Sequence, residues 1–278
     1  MAVRNYDLAF SLGFSCGCTQ ALREAGLQFA SFPFDWVGSP GLLASVRMLA
    51  GRFRNWLEKA DLELYDVRRA PLFSRVYRNS HTRYGFPHDF PSDLEFDAAY
   101  EVCRQRYDRR IERLIGCLTP GRRVLAIYIE RMIDTRLPDP DLRNARRLLS
   151  EAFLGVRFDL LYVFQQDGCC QPQESDLGEG VRTVALDYKI CEAGEVVHEI
   201  DRSRITAYLR QSIAVPDTRT AETRQRHRAT GRHNRNRRWG QVWFGRRLFN
   251  EFAYKLYRRL ERQLSRVGVI PREGPLWF

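Results

Sequence analysis

Apolar residues recur every three or four positions along Phe96–Leu118, where Cys103, Tyr107, Ile111, Leu114 and Leu118 share a side and arginines fill the remainder. That spacing predicts an amphipathic helix. Three runs behave differently: Arg123–Ile129, Phe158–Gln165 and Arg182–Tyr188 are apolar nearly throughout. A strand with one wet face would alternate, so these predict strands covered on both faces, as in a parallel sheet. A helical period in Leu142, Ala145, Leu148, Leu149 and Ala152 links the first two. Strand, helix and strand in succession predict an α/β fold with a central, mostly parallel sheet flanked by helices.

Nearer the N-terminus, Tyr6–Leu12 predicts a short buried strand that ends at Gly13. A helix follows, with Ser15 as its N-cap and Gly26 just past its end. A second helix is predicted over Pro40–Trp56, with Leu43, Val46, Leu49 and Phe53 on one face. Asp66–Asp93 is rich in aromatics, Pro, Gly and Asn, and reads as strand fragments and exposed loop. A basic amphipathic helix is expected near Phe244–Leu264, carrying Phe249, Phe252, Leu256 and Leu260. The organisation expected is a main α/β domain over 1–215, an arginine-rich insert over 216–247, and a C-terminal helix and tail over 248–278 that packs on the main domain.

Composition narrows the class. A chain of 278 residues with 44% hydrophobic content can bury an ordinary core. Apolar runs such as Val124–Ile129 are too short to span a bilayer. The stretch MAVRNYDLAFSLG lacks the apolar core of a secretory leader, so an intracellular, cytoplasmic protein is expected. Seven scattered cysteines fit a reducing compartment. The net charge of +11 is concentrated: Arg219–Arg247 holds ten arginines and one acid, Glu222, leaving about +2 for everything else. With Trp239, Trp243 and Phe244 interleaved, that segment fits an anionic polymer or an anionic membrane surface as partner. A solvated basic face would look the same. No CxxC pair exists and Cys169–Cys170 are adjacent, so no metal site is expected. One glycine without GxGxxG gives no dinucleotide motif, and no cofactor is expected.

The candidate chemistry lies in SLGFSCGC. If a helix begins after Ser15, then Cys18, Ala21, Leu22 and Ala25 form its apolar face, and Cys18 is a packing residue. Cys16 points elsewhere and occupies the first turn, where unpaired N–H groups and the helix dipole favour a thiolate. Cys16 is therefore the candidate nucleophile, against the alternative that both cysteines belong to the core. A thiolate needs a base, ordinarily histidine. Of the five histidines, His227 and His233 fall in the arginine-rich insert and His198 lies among alternating polar residues. His81 and His88 remain. His88 stands in GFPHDFP, which its glycine and prolines keep out of helix.

These residues also resemble a known family. SLGFSC…LREAGL…SFPFDW, then YGFPHDF, YDRRIERL and VLAIYIER, are similar in order to DUF1796, a bacterial family of unknown function grouped with papain-like cysteine peptidases. The likeness runs from Ser11 to Arg131 and more loosely to WGQVWFGRRLF. It implies Cys16 as nucleophile and His88 as base, with no part for Cys18. A third group would orient the imidazole. Asp35 and Asp89 are the candidates, Asp35 having the alternative role of capping the turn that opens the Pro40 helix. The expected reaction is thiol-dependent acyl hydrolysis or transfer on a peptide, acyl or glycan substrate.

Two rivals stand beside it. The family's association with surface-polysaccharide synthesis, together with the βαβ run, suits a glycosyltransferase-like enzyme that binds a nucleotide sugar. Ser11, Gly13 and Ser15 would then form a phosphate-binding turn. Glu130, Gln166, Asp167 and Asp187 would line the strand ends, where open α/β sheets bind ligands. The other rival is a non-enzymatic scaffold that binds an anionic polymer through the arginine-rich segment.

Overall fold

The computed structural model describes residues 3–68, 74–131, 136–188 and 201–217. One compact unit comprises Met1–Asp66 and Arg75–Asp217. A second comprises Val67–Ser74 and Thr218–Trp277, nearly all of it outside the described residues. The basic insert from residue 218 onward, the expected C-terminal helix, His198, His227 and His233 lie outside the described residues.

The chain opens with β1 (Arg4–Asn5) and β2 (Leu8–Ser11), followed by α1 (Cys16–Glu24), a 3-10 turn at Pro33–Trp36, and α2 (Leu42–Ala50). Then come β3 (Leu62–Arg68), β4 (Ser74–Asn79) and β5 (Gly85–Pro91), which form a three-stranded sheet in that order. The rest is α3 (Phe96–Cys117), β6 (Arg123–Ile129), α4 (Asp139–Ala152), β7 (Arg157–Gln165), β8 (Gln173–Asp176), β9 (Val181–Leu186), α5 (Arg202–Ser212) and β10 (Ile213–Ala214). The central sheet has the order β2-β6-β7-β9-β8. Its first four strands are parallel and β8 joins its edge antiparallel. β1 and β10 form a small parallel pair.

Side chains alternate across the central strands and build two cores. On one face Phe10, Val124, Ala126, Tyr128, Phe158, Leu160 and Tyr162 pack with residues of α2, α3 and α4. On the other, Ala9, Leu125, Ile127, Ile129, Leu161, Val163 and Leu186 pack with α1 and α5. The α/β architecture read from the sequence is the one observed.

The elements depart from expectation in particular places. α2 stops at Ala50, short of the predicted Trp56, because Gly51 caps it and Arg52, Phe53 and Asn55 follow with φ of 57°, 59° and 58°. The released segment turns Phe53 and Trp56 back against Phe34, with ring centroids 5.1 and 5.6 Å away. Asp66–Asp93, read as fragments and loop, contains most of the three-stranded sheet.

Candidate active site

The site is built on the turn from β2 to α1. Leu12 N–H still donates to Ile127 of β6 (2.8 Å). Gly13 then takes φ +93°, which glycine adopts without a Cβ penalty, and an added Cβ would lie 3.2 Å from Ser39 Cβ. Ser11 Oγ accepts from Gly13 N–H at 2.9 Å, which folds the turn back on the strand end. Ser15 is extended, and its Oγ accepts from Gly17 N–H at 3.3 Å, so it is the N-cap that its sequence position predicts. Gly26, at φ +77°, follows the far end of α1.

Cys16 is the first residue of α1 and is partly exposed, whereas Cys18 is buried on the face against β6. Cys18 Sγ donates to the Ile127 carbonyl at 3.6 Å, and burial pushes its thiol up to about 12. It is a packing cysteine.

Asp35 is fully buried at the 3-10 turn. It accepts from Thr19 Oγ1 (2.9 Å), Gln28 Nε2 (2.7 Å) and Phe32 N–H (2.8 Å), and Arg23 lies 3.6 Å away. Desolvation raises its pKa above the carboxylate range, with the Phe32, Gln28 and Thr19 hydrogen bonds and the Arg23 charge acting against that rise. Asp35 thus fastens α1 to the turn behind it; the turn it caps is Pro33–Trp36, ahead of α2.

His88 is exposed on β5. That strand starts against the loop that supports the α1 turn. Gly38 and Gly85 exchange both backbone hydrogen bonds at 2.9 Å, and Ser39 N–H donates to Phe14 O at 3.1 Å. His88 lies three residues beyond Gly85, about 10 Å along a strand. Asp89 turns inward, accepting from Arg106 (2.7 Å) and from the Tyr107 hydroxyl (2.8 Å) of α3.

The carboxyl edge of the sheet carries Glu130 and Asp187, candidates already in the sequence, and adds Arg131 and Tyr128, which sequence reasoning passed over. Glu130 and Arg131 continue β6 and are both buried. Glu130 Oε2 accepts from the Tyr162 hydroxyl (3.1 Å) and its Oε1 accepts from Arg131 N–H (2.8 Å), while the Tyr188 hydroxyl donates to the Glu130 carbonyl. The Arg131 guanidinium lies over the Phe14 ring, 5.9 Å from its centroid. Burial lowers the pKa of that guanidinium, and interaction with Cys16 and Tyr188 works in the opposite direction. Tyr128 meets the same Phe14 ring edge-on at 6.4 Å. At the next strand, Asp187 accepts from Gln165 Nε2 (2.8 Å) and Gly168 N–H (3.0 Å), which closes the turn after β7 onto the end of β9. Arg131 and Tyr128 were legible only as the end of an apolar strand; nothing in the order of residues set them beside Phe14.

The fold and turn together define an α/β protein with a partly exposed cysteine at a helix start, just past the carboxyl end of a parallel strand. The resemblance read from the sequence holds: residues 7–136 match the family model described as "Putative papain-like cysteine peptidase (DUF1796)". That segment includes Cys16, His88 and Arg131. No curated protein matches the chain. Among the described residues, no group of three or more His, Cys, Asp or Glu side chains is arranged to hold a metal ion, and no helix is long and apolar enough to cross a membrane.

Proposed function

We propose that the chain is a thiol-dependent acyl hydrolase or transferase of the cysteine-peptidase type, with Cys16 as nucleophile and His88 as general base. The observation that carries this reading is the contrast within one helix turn: Cys18 is sealed in the core, while Cys16 opens α1 partly exposed. His88 would take the thiol proton as sulfur attacks the acyl carbon. The C–S bond forms, the bond to the leaving amine or alcohol breaks, and His88 returns the proton to that group. Water, or another acceptor, then gives up a proton to His88 and attacks the thioester, releasing the acyl product and the thiol. First-turn N–H groups of α1 would hold the oxyanion. Asp35 or Asp89 would orient the imidazole in addition to the partners each already has.

Alkylation of Cys16 by iodoacetamide near neutral pH, read on its tryptic peptide, tests the pair. His88→Ala should slow it about 100-fold, the lower end of what a general base contributes. An unchanged rate removes His88 from the mechanism. Hydrolysis of an activated ester that persists in Cys16→Ala removes the nucleophile.

A second reading is supported by the parallel sheet, which puts Glu130 and Asp187 just past the ends of β6 and β9, where such sheets bind ligands. In it the chain is a nucleotide-sugar enzyme of surface-polysaccharide synthesis, with Ser11, Gly13 and Ser15 as the phosphate turn. It predicts a thermal shift with a nucleotide sugar that survives Cys16→Ala. No shift across a panel of such ligands counts against it.

A further inference from the structure

We propose that Arg131 makes the Cys16 site selective for acidic acyl donors, those with a carboxylate close to the reacting carbon. This inference rests on the reading of Cys16 as nucleophile and names the substrate class that nucleophile serves. Its basis is the way the end of β6 divides two adjacent charges. Side chains beyond a strand end continue to alternate, and Glu130 reaches the Tyr162 hydroxyl on the face occupied by α2, α3 and α4. Arg131 instead lies over Phe14, two residues before Cys16, and Cys16 and Tyr188 are among the groups whose charge acts on its guanidinium. A permanently charged guanidinium that is only 6% exposed thus lies over the turn that leads into Cys16 rather than in solvent.

The surroundings favour an anion there. The first turn of α1 carries no acidic side chain, so its N–H groups and dipole add to the arginine's charge. The guanidinium presents a planar fork that matches two carboxylate oxygens, which a lysine ammonium would not. The Tyr128 ring meets Phe14 edge-on, and its hydroxyl is fully buried with no hydrogen-bond partner among the described residues. A buried donor left without a partner is what a site looks like when part of its hydrogen bonding is left to a ligand. Burial holds that phenol neutral, its pKa well above the ordinary value, so it remains a donor.

Two alkylating agents of nearly equal size separate charge recognition from thiol reactivity. Iodoacetate carries a carboxylate one bond from the carbon that sulfur attacks; iodoacetamide carries a neutral amide there. In both, the S–C bond forms as iodide leaves. On the full-length protein, the iodoacetate-to-iodoacetamide rate ratio at Cys16 should exceed that at exposed Cys170 by about tenfold, the factor that about 1.4 kcal/mol of charge attraction represents. Arg131→Met should bring the Cys16 ratio down to that of Cys170, and Arg131→Lys, which keeps the charge but not the fork, should give a ratio between the two. Equal ratios at the two cysteines in the unmodified protein overturn the proposal, and they do so even if Arg131→Met fails to fold. A preference that survives Arg131→Met in a folded variant overturns it as well. Rapid iodoacetamide labelling of Cys16 without an iodoacetate preference refutes the acidic-substrate inference alone. Slow labelling by both reagents refutes the nucleophile itself.

Discussion

Replacing Asp35 by alanine tests whether the helix that carries Cys16 is held by one buried carboxylate. The substitution strands three donors at once: the Thr19 hydroxyl, the Gln28 amide and the Phe32 N–H. A buried donor without a partner costs about 1–3 kcal/mol. The Thr19 hydroxyl and Gln28 amide can turn to new acceptors, so the losses do not simply add. Arg23 is partly exposed and adds little. The expected loss is about 3–5 kcal/mol, a large part of the roughly 5–15 kcal/mol available to a domain. Asp35→Asn should cost less, since one oxygen remains, although its amide now faces that of Gln28. The two variants also differ in pH response. Burial raises the native Asp35 pKa, so the stability this group contributes is complete below the unfolded value of 3.8 and falls as pH rises through the raised native value. Asparagine does not titrate. The advantage of the unmodified protein over Asp35→Asn should therefore shrink as pH rises above the unfolded value of 3.8. Urea unfolding followed by the fluorescence of buried Trp56 measures both effects. A loss below about 1 kcal/mol in Asp35→Ala, or an advantage over Asp35→Asn that grows with pH, would refute the reasoning.

Gly13→Ala should lower stability by about 1–3 kcal/mol, because it forces a Cβ into a φ of +93° and against Ser39 at 3.2 Å. The variant should also label more slowly at Cys16; an unchanged melting temperature would contradict the strain assigned to the turn. Cys18 should resist alkylation: with its thiol raised to about 12, at neutral pH only about one molecule in ten thousand or fewer carries the thiolate. Cys16 should react at least about a thousandfold faster under native conditions, and equal rates would show that the two thiols share one environment.

What was legible in the sequence follows the strength of each local signal. The runs Arg123–Ile129 and Phe158–Gln165 were read within one residue of β6 and β7, because strands covered on both faces leave no polar position to blur them. The same holds for α3, whose apolar stripe persists over 22 residues. β8 (Gln173–Asp176) escaped notice because its residues are mostly exposed and it joins the sheet through backbone pairing with β9. α5 (Arg202–Ser212) was also passed over, although Ile205, Tyr208 and Leu209 have helical spacing. At the site, Ser15, Cys16, Cys18 and Gly13 were legible because a cap, a first turn and an apolar face are local properties. Arg131 was not. Its place beside Phe14 depends on β2 pairing with β6, which brings Ser11 opposite Ile127. No local pattern encodes a contact made over that distance in sequence.

The position of β6 also sets how little of the chain can stand alone. β6 is an interior strand, with β2 on one side and β7 on the other. A polypeptide ending at residue 136 would contain everything the family model matches, yet it would lack β7 and β9. Its β6 would then be an open edge, with Leu125, Ile127 and Ile129 on one side deprived of the Leu161, Val163 and Leu186 that cover them. Unpaired apolar edges of that kind recruit other chains. The stretch that carries the family's signature is therefore not a folding unit, and during synthesis Cys16 must wait for β7 and β9 before the sheet beneath it is complete.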